Sequence, residues 1–275
     1  MFQLRCTVRN CPAVLNLQDG GLSCSGGHHF DRAREGYFSL LQPQDRKSKN
    51  PGDAETAVLA RHRWLARGHA AGLIETLRPW IVDSAKTGLP RTLDLGCGEG
   101  SFGPALFADE PSGYCGIDLS RRAIKLAARG WPAGTWVLGN ADRFLPAVDR
   151  SVDRVISLFG RRPVAEIGRV LADGGVCIVA VPGEEDLIEL REQVQLIGRR
   201  RSRWEMVVDE MAEVGFQCVE HVNWNQRVEL DPAAIADALA MTYRAARHSQ
   251  HARMESLETM QVTLAADLIQ FRRVR

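Results

Sequence analysis

Two clusters of residues in this 275-residue chain have types and spacings that suit chemistry. The first is Cys6-x4-Cys11 followed by Cys24-x3-His28, two close pairs of soft or borderline ligands that together can close a tetrahedral zinc site. A bound ion would fold a segment too small to build its own core. His29 adjoins His28 and offers a substitute fourth ligand; the alternative to a metal site is a set of reduced cysteines without one. The second cluster is Thr92-Leu93-Asp94-Leu95-Gly96-Cys97-Gly98-Glu99-Gly100, an apolar strand running into a glycine-rich turn that carries carboxylates. Gly96, Gly98 and Gly100 let the backbone take positive φ and approach a ligand with no Cβ in the way. Asp118 ends a further apolar run, Tyr114-Cys115-Gly116-Ile117-Asp118, about 20 residues on, where an acidic side chain of a doubly wound sheet reaches a ribose diol. The bland alternative is that the glycines merely end a buried strand. Carboxylates both before and after the turn favour a ligand site, and Asp94 suits a positively charged ligand better than it suits a pyrophosphate, which needs amides.

These groups need strands and helices to hold them. With 45% hydrophobic residues, the chain can form one large α/β domain and a smaller module. Residues 112–118, 135–139 and 152–159 read as the second, third and fourth strands of a parallel sheet, separated by stretches of helical spacing. Asp173-Gly174-Gly175 turns the chain before Val176–Val181, a continuous apolar run typical of a strand covered on both faces, and Pro182-Gly183 ends it. Beyond it the spacing predicts a helical stretch over 184–214, a strand near 216–224, a helix over 232–247 and a terminal strand near 266–272. Asp19-Gly20-Gly21, between the two ligand pairs, reads as a hairpin turn. Cys97, Cys115, Cys177 and Cys218 read as small core residues, and Cys97 has no basic neighbour in sequence to make it a nucleophile.

Charge and hydropathy narrow the function. A net charge of +1 gives no global attraction to nucleic acid, so any such partner must meet local basic clusters. Candidates are Arg46, Lys47 and Lys49; Arg61 and Arg63; and Arg199, Arg200, Arg201 and Arg203 beside Trp204, the last run being equally readable as a solvated helix face. No apolar stretch approaches the ~18 residues of a membrane span, and Met1-Phe2-Gln3-Leu4-Arg5-Cys6 lacks a signal-peptide profile. A cytoplasmic protein is expected, and an odd count of seven cysteines fits metal ligation in a reducing compartment.

The Asp94-x-Gly-x-Gly-x-Gly turn with Asp118 resembles the S-adenosylmethionine site of class I methyltransferases. More specifically, four features resemble the large-subunit rRNA guanine-N1 methyltransferase family, in the family's order. They are the ligand pairs, the stretch His28-His29-Phe30-Asp31-Arg32-Ala33-Arg34-Glu35-Gly36-Tyr37, the polar segment Lys47–Asp53, and Arg67-Gly68-His69. The resemblance implies a Rossmann-like α/β fold with a mostly parallel seven-stranded sheet, closed by an antiparallel pair, and a small N-terminal zinc ribbon. It divides the chain into a ribbon for RNA recognition (1–41), a linker and connecting helix (42–80) and a methyltransferase domain (81–275). It implies Zn2+ on Cys6, Cys11, Cys24 and His28, and S-adenosylmethionine as methyl donor. By position, Asp94, Gly96, Cys97, Gly98 and Gly100 would hold the methionine end, Asp118 and Leu119 the ribose, and Asn140, Ala141 and Asp142 the adenine. Asp142 is equally an N-cap before Arg143-Phe144-Leu145. The implied partner is a guanine in a 23S rRNA hairpin, the implied assembly a homodimer whose ribbons flank a shared cleft, and some family members add macrolide resistance.

The chain departs from the family at three places: x4 instead of x2 in the first ligand pair, Ala70-Ala71 where a tyrosine is usual, and Phe159-Gly160-Arg161-Arg162-Pro163 in place of an aromatic-x-Pro turn. Phe159, Arg161 and Arg162 are the acceptor-site candidates; the Phe159 ring either stacks on the target base or packs in the core. Methyl transfer from a sulfonium needs positioning above all, yet guanine N1 also carries a proton that must leave, and the sequence names no base for it. Two other readings stay open: methylation of a different RNA position or a small molecule, and a non-catalytic zinc-dependent RNA-binding protein.

Overall fold

In a computed structural model of the chain, the described residues are all but 1, 19, 46–51, 82–89, 110, 196–201, 243–257 and 275. Arg46, Lys47, Lys49, Arg199, Arg200 and Arg201 of the basic clusters, and Asp19 of the expected turn, fall outside them.

The amino-terminal segment has few apolar residues and shares its core with the rest of the chain. β1 (Asn16–Gln18), β2 (Gly21–Ser23) and β3 (His29–Asp31) form an antiparallel sheet in sequential order. β1 is exposed, whereas Leu4, Leu22 and Phe30 are buried in one cluster with Leu93, Val137, Leu145 and Val155. Backbone bonds seal the joint: Leu4 bridges Ala147, and the Arg5 N–H donates to the Pro146 carbonyl at 3.0 Å. The chain leaves through β4 (Phe38–Ser39) and enters α1 (Glu55–Ala66) and α2 (Ala71–Ile81), the latter burying Leu73, Leu77 and Ile81 at four-residue spacing.

The alternation of apolar runs and helical stretches then folds as expected. It gives β5 (Thr92–Leu95), α3 (Phe102–Phe107), β6 (Tyr114–Asp118), α4 (Arg121–Gly130), β7 (Thr135–Leu138), β8 (Val152–Leu158), α5 (Val164–Val170) and β9 (Leu171–Pro182). The helical stretch after β9 divides into α6 (Ile188–Gln195) and α7 (Trp204–Ala212), followed by β10 (Phe216–Leu230), α8 (Pro232–Thr242) and β11 (Met260–Arg273). Among the described residues no helix is long and apolar enough to cross a membrane.

The main sheet runs β10-β11-β9-β8-β5-β6-β7-β4, with β11 antiparallel to both neighbours and the other pairings parallel. Among the described residues it therefore has eight strands, not seven: Phe38–Ser39, inside the segment expected to be ribbon, joins the edge beside β7. A two-residue strand carries no periodicity for sequence reading to find. β10 and β11 also extend well beyond their expected ends, paired from Phe216↔Arg273 to Leu230↔Met260, because β10 is an edge whose largely exposed, polar side chains mask the alternation. The Asp173-Gly174-Gly175 turn lies inside β9 as an irregularity, between the pairs Val152↔Leu171 and Arg154↔Val176.

Strand order reverses at β5, which places a crevice at the C-terminal ends of β5, β6 and β8. Gly100 fixes the turn after β5 from behind: at φ +85°, a Cβ there would lie 2.6 Å from Trp136 and 2.7 Å from Ala127. Gly68 has a similar φ, +81°, with open space around it. Gly68→Ala is expected to cost about 1 kcal/mol of backbone strain, and Gly100→Ala about 3 kcal/mol because overpacking adds to it. Calorimetric unfolding of the two variants checks this; equal losses would contradict the crowding.

Candidate functional site

The metal cluster assembles around two tight turns. Cys11 N–H donates to the Val8 carbonyl at 3.0 Å and Asn10 takes φ +63°, so the four intervening residues curl and bring Cys11 back beside Cys6. In the second pair Gly27 (φ +78°) donates to the Cys24 carbonyl at 3.0 Å, which turns His28 inward. Cys11 Sγ lies 3.8 Å from Cys24 Sγ, and His28 Nδ1 lies 3.5 Å from Cys6 Sγ and 3.4 Å from Cys24 Sγ. All four ligand atoms fall within 4.8 Å of one another. A tetrahedron with zinc arms of ~2.3 Å to sulfur and ~2.0 Å to nitrogen has edges of ~3.8 and ~3.5 Å, so donor set and spacing both fit Zn2+. His29 sits apart: its Nδ1 bonds Ser23 Oγ at 2.8 Å and its Nε2 lies 3.2 Å from Asp31. Of the two histidines, His28 is the one the structure places with the three cysteines.

The crevice at the strand ends opens into a cavity of about 740 Å³. Asp94, Gly96, Cys97, Gly98, Asp118, Leu119, Asn140, Ala141 and Asp142 all line it. Gly100 does not, since it faces Trp136. The Asp118 carboxylate is fixed by two backbone donors, Gly98 N–H at 3.0 Å on Oδ2 and Ser120 N–H at 2.7 Å on Oδ1. Asp94 accepts the Tyr114 hydroxyl at 2.7 Å, and burial, reinforced by the charges of Asp118 and Glu99, pushes its carboxyl up to about 7. Burial likewise holds the Cys97 thiol well above its usual range, which removes it as a nucleophile. Asp142 is no N-cap, because residues 141–143 form a turn and no helix follows them; Asn140 Oδ1 holds that turn by accepting Asp142 N–H at 3.1 Å.

The turn after β8 resolves the acceptor candidates. Phe159 is 47% exposed at the cavity mouth, not packed in the core, and its φ of +60° is held by its N–H bonding the Ala180 carbonyl at 2.8 Å. Arg161 also lines the mouth; its side chain is 84% exposed and sits 3.4 Å from Asp142. Arg162 turns the other way, to Glu210 on α7 at 3.3 Å, and does not reach the cavity. The Arg61 and Arg63 pair is no free basic patch either. Arg61 pairs with Asp53 at 3.1 Å, and Arg63 pairs with the buried Asp237 of α8 at 2.6 Å, which ties α1 to α8.

The far wall of the cavity was not legible from the sequence. Trp64, His69, Leu187, Trp224, Met241 and Leu264 come from α1, the α1–α2 turn, the segment after β9, β10, α8 and β11, and only the tertiary fold brings them together. His69 lies against Trp64 with ring centroids 4.2 Å apart. Its Nε2 is buried without a hydrogen-bond partner among the described residues, and burial, with Arg67 nearby, holds its pKa below the ordinary histidine value.

Comparison with known proteins places this geometry among relatives. A family model described as "RlmA, N-terminal", a zinc ribbon, matches residues 5–49, and one described as "Methyltransferase domain" matches residues 92–175. A 23S rRNA (guanine(748)-N(1))-methyltransferase of Streptomyces fradiae is 30% identical over 240 residues, covering 86% of this chain and 84% of the relative. A provisionally named 23S rRNA (guanine-N(1)-)-methyltransferase of Micromonospora griseorubida is 28% identical over 293 residues, covering 98% and 97%. Among solved structures, the YcgJ protein of Bacillus subtilis shares the fold at 17% identity and a TM-score of 0.51, covering 73% of this chain and all of that one.

The two histidines give a direct check on the metal site. His28→Ala should lower bound zinc well below one equivalent while His29→Ala leaves it unchanged, as read by elemental analysis of purified protein. Equal loss in both variants would contradict the ligand assignment.

Proposed function

This chain belongs to the 23S rRNA guanine-N1 methyltransferase family, and from that premise we propose that it methylates N1 of a guanine in a 23S rRNA hairpin, in the cytoplasm and as a homodimer. The methyl donor is S-adenosylmethionine, and zinc holds the ribbon together. The division into ribbon (1–41), connecting segment (42–80) and methyltransferase domain (81–275) belongs to the same reading, with the ribbon docking the RNA. Its packing into the main core supports that role, since an RNA gripped by the ribbon is then fixed relative to the cavity.

One observation carries the reading: a single cavity has an acidic, glycine-lined end and an aromatic, apolar end. The acidic end fits the donor. Asp94 with the backbone of Gly96, Cys97 and Gly98 would hold its methionine portion, Asp118 and Leu119 its ribose, and Asn140, Ala141 and Asp142 its adenine. Asp118 keeps lone pairs for two ribose hydroxyls after accepting its two backbone bonds, and those bonds fix its rotamer. When bound, the sulfonium supplies an electrophilic methyl carbon for in-line displacement. The other end suits a flat base drawn out of its stack: Trp64, Phe159 and Trp224 offer faces on which it can lie, and excluding water there strengthens each polar contact. Arg161, exposed at the mouth, is placed for the phosphates flanking that base.

The test is incubation of the zinc-loaded protein with labelled S-adenosylmethionine and unmodified 23S rRNA, followed by nucleoside analysis. Label in 1-methylguanosine is expected; label in another nucleoside, or none, would overturn the reading. Arg161→Ala should raise the KM for RNA about tenfold and leave cofactor affinity unchanged, whereas Arg162→Ala should change neither by more than about twofold. Asp94 gives a pH dependence. Its carboxyl is neutral below about 7 and charged above, so affinity for the cationic donor should rise about fivefold from pH 6 to pH 7. In Asp94→Asn, titration calorimetry should find that slope gone.

A further inference from the structure

The reaction needs a group that takes the guanine N1 proton, and the cavity holds a carboxylate whose setting matches. Six acidic side chains line it: Asp53, Asp94, Glu99, Asp118, Asp142 and Asp186. Five already have partners that fix them to other tasks. Asp53 pairs with Arg61, Asp94 takes the Tyr114 hydroxyl, Glu99 bonds Ser101, Asp118 takes two backbone N–H groups, and Asp142 pairs with Arg161. Asp94, Glu99, Asp118 and Asp142 belong to the segments around β5, β6 and β7, the donor end, and Asp53, just ahead of α1, is near enough to Asp118 for its charge to act there. Asp186 follows β9 and shares its wall with Leu187, Trp224 and Leu264 at the apolar end.

Its placement is rigid. Gly183 N–H donates to the Ala265 carbonyl at 2.9 Å, Ala265 N–H donates to Asp186 Oδ1 at 3.0 Å, and Leu187 N–H donates to the Thr263 carbonyl at 2.7 Å. Leu187 is held at φ +51° by this stitching, so the turn stores strain. Phe159, across the same mouth, is the other lining residue held at positive φ without being glycine. Strain on both sides of one chamber marks a geometry that the fold enforces. Among the described residues, the Ala265 bond is the one hydrogen bond on the Asp186 carboxylate, which leaves Oδ2 for a ligand.

We propose that Asp186 accepts the N1 proton of the target guanine, with the guanine N2 amino group as a second donor to the same carboxylate. This rests on the reading of the chain as a guanine-N1 methyltransferase. The N1–H bond breaks as its proton passes to Asp186. The electron pair on N1 bonds the methyl carbon, and the carbon–sulfur bond of the sulfonium donor breaks with its pair remaining on sulfur. Burial pushes the Asp186 carboxyl up to about 6, while Arg191 and Arg203 pull it down; His69 is the other titratable group at this end of the cavity. Asp186 is therefore a carboxylate at neutral pH, with more basicity than a solvated one.

Single-turnover methylation of a 23S rRNA hairpin, read as 1-methylguanosine from pH 5 to 8 with donor and hairpin saturating at each pH so that the Asp94 effect on donor affinity drops out, tests the assignment together with hairpin and cofactor Kd. Wild-type rates should rise with pH through a midpoint near 6 and then level. Asp186→Asn should lower the rate at least a hundredfold, keep both Kd values within threefold and lose the acid limb; Asp186→Glu should restore part of the rate. An Asp186→Asn rate within fivefold of wild type with the limb intact overturns the proposal while the function stands. Wild type that makes no 1-methylguanosine overturns both. If Asp186→Asn fails to bind cofactor, the wild-type profile decides: a midpoint near 6 sustains the proposal and a flat profile overturns it.

Discussion

Negative charge held out of water at the end of β5 and β6 is the constraint on which the rest of the structure turns. Asp94 is 2% exposed and faces two further acidic groups, which raises the free energy of its ionised form, and the hydrogen bond from the Tyr114 hydroxyl offsets only part of that. A protein without a ligand has no use for it: below pH 7 the carboxyl stays protonated, and above it the folded state carries an unfavourable charge that the unfolded chain would solvate. A cationic ligand reverses the sign. The glycine turn admits that ligand because Gly96 and Gly98 take φ of +68° and +59° and keep side chains out of its path. Behind the turn, Tyr114, Trp131 and Trp136 pack edge to face and hold the acidic end against a stiff aromatic wall.

The second dependence runs from the metal to the sheet. The ribbon has no core of its own, and Cys6 and Cys24, two of the candidate zinc ligands, lie in the same buried cluster as Leu93, Val137 and Val155. Metal binding and folding of the main sheet are thereby coupled through packing. β4 adds a backbone link, and Arg5 pairs with Asp149, which also takes Arg169. A module meant to present RNA to a cavity gains by this: each loose joint between the two would multiply the conformations in which the base misses the donor.

Much of this was legible in the sequence where local chemistry decides it. Four candidate ligands in two close pairs, three glycines after an apolar strand and an acidic residue ending the next are local patterns, and the structure brings each group together except that Gly100 packs against Trp136 behind the cavity. The sequence put His28 in the fourth position with His29 as a substitute, since both follow the same turn, and only the β2–β3 pairing shows that His29 belongs to a strand face. It grouped Arg161 with Arg162 and Arg61 with Arg63 because adjacency in sequence says nothing of which way a side chain turns. In each pair the partner carboxylate, Glu210 or Asp237, comes from a distant element. The apolar end of the cavity was invisible for the same reason: Trp64, Asp186 and Trp224 are ordinary residues of a helix, a turn and a strand until the fold gathers them.

The most direct measurement compares the affinity of S-adenosylmethionine with that of methylthioadenosine, which keeps the adenosine and lacks both the sulfonium charge and the amino acid with its ammonium. If the buried acidic end exists to meet a cation, methylthioadenosine should bind roughly tenfold to a hundredfold more weakly at pH 7.5, the worth of a charged hydrogen bond. Asp94→Asn should abolish most of that difference. Equal affinity for the two in the wild type would contradict the account, because the charge at Asp94 would then have no counterpart in the ligand.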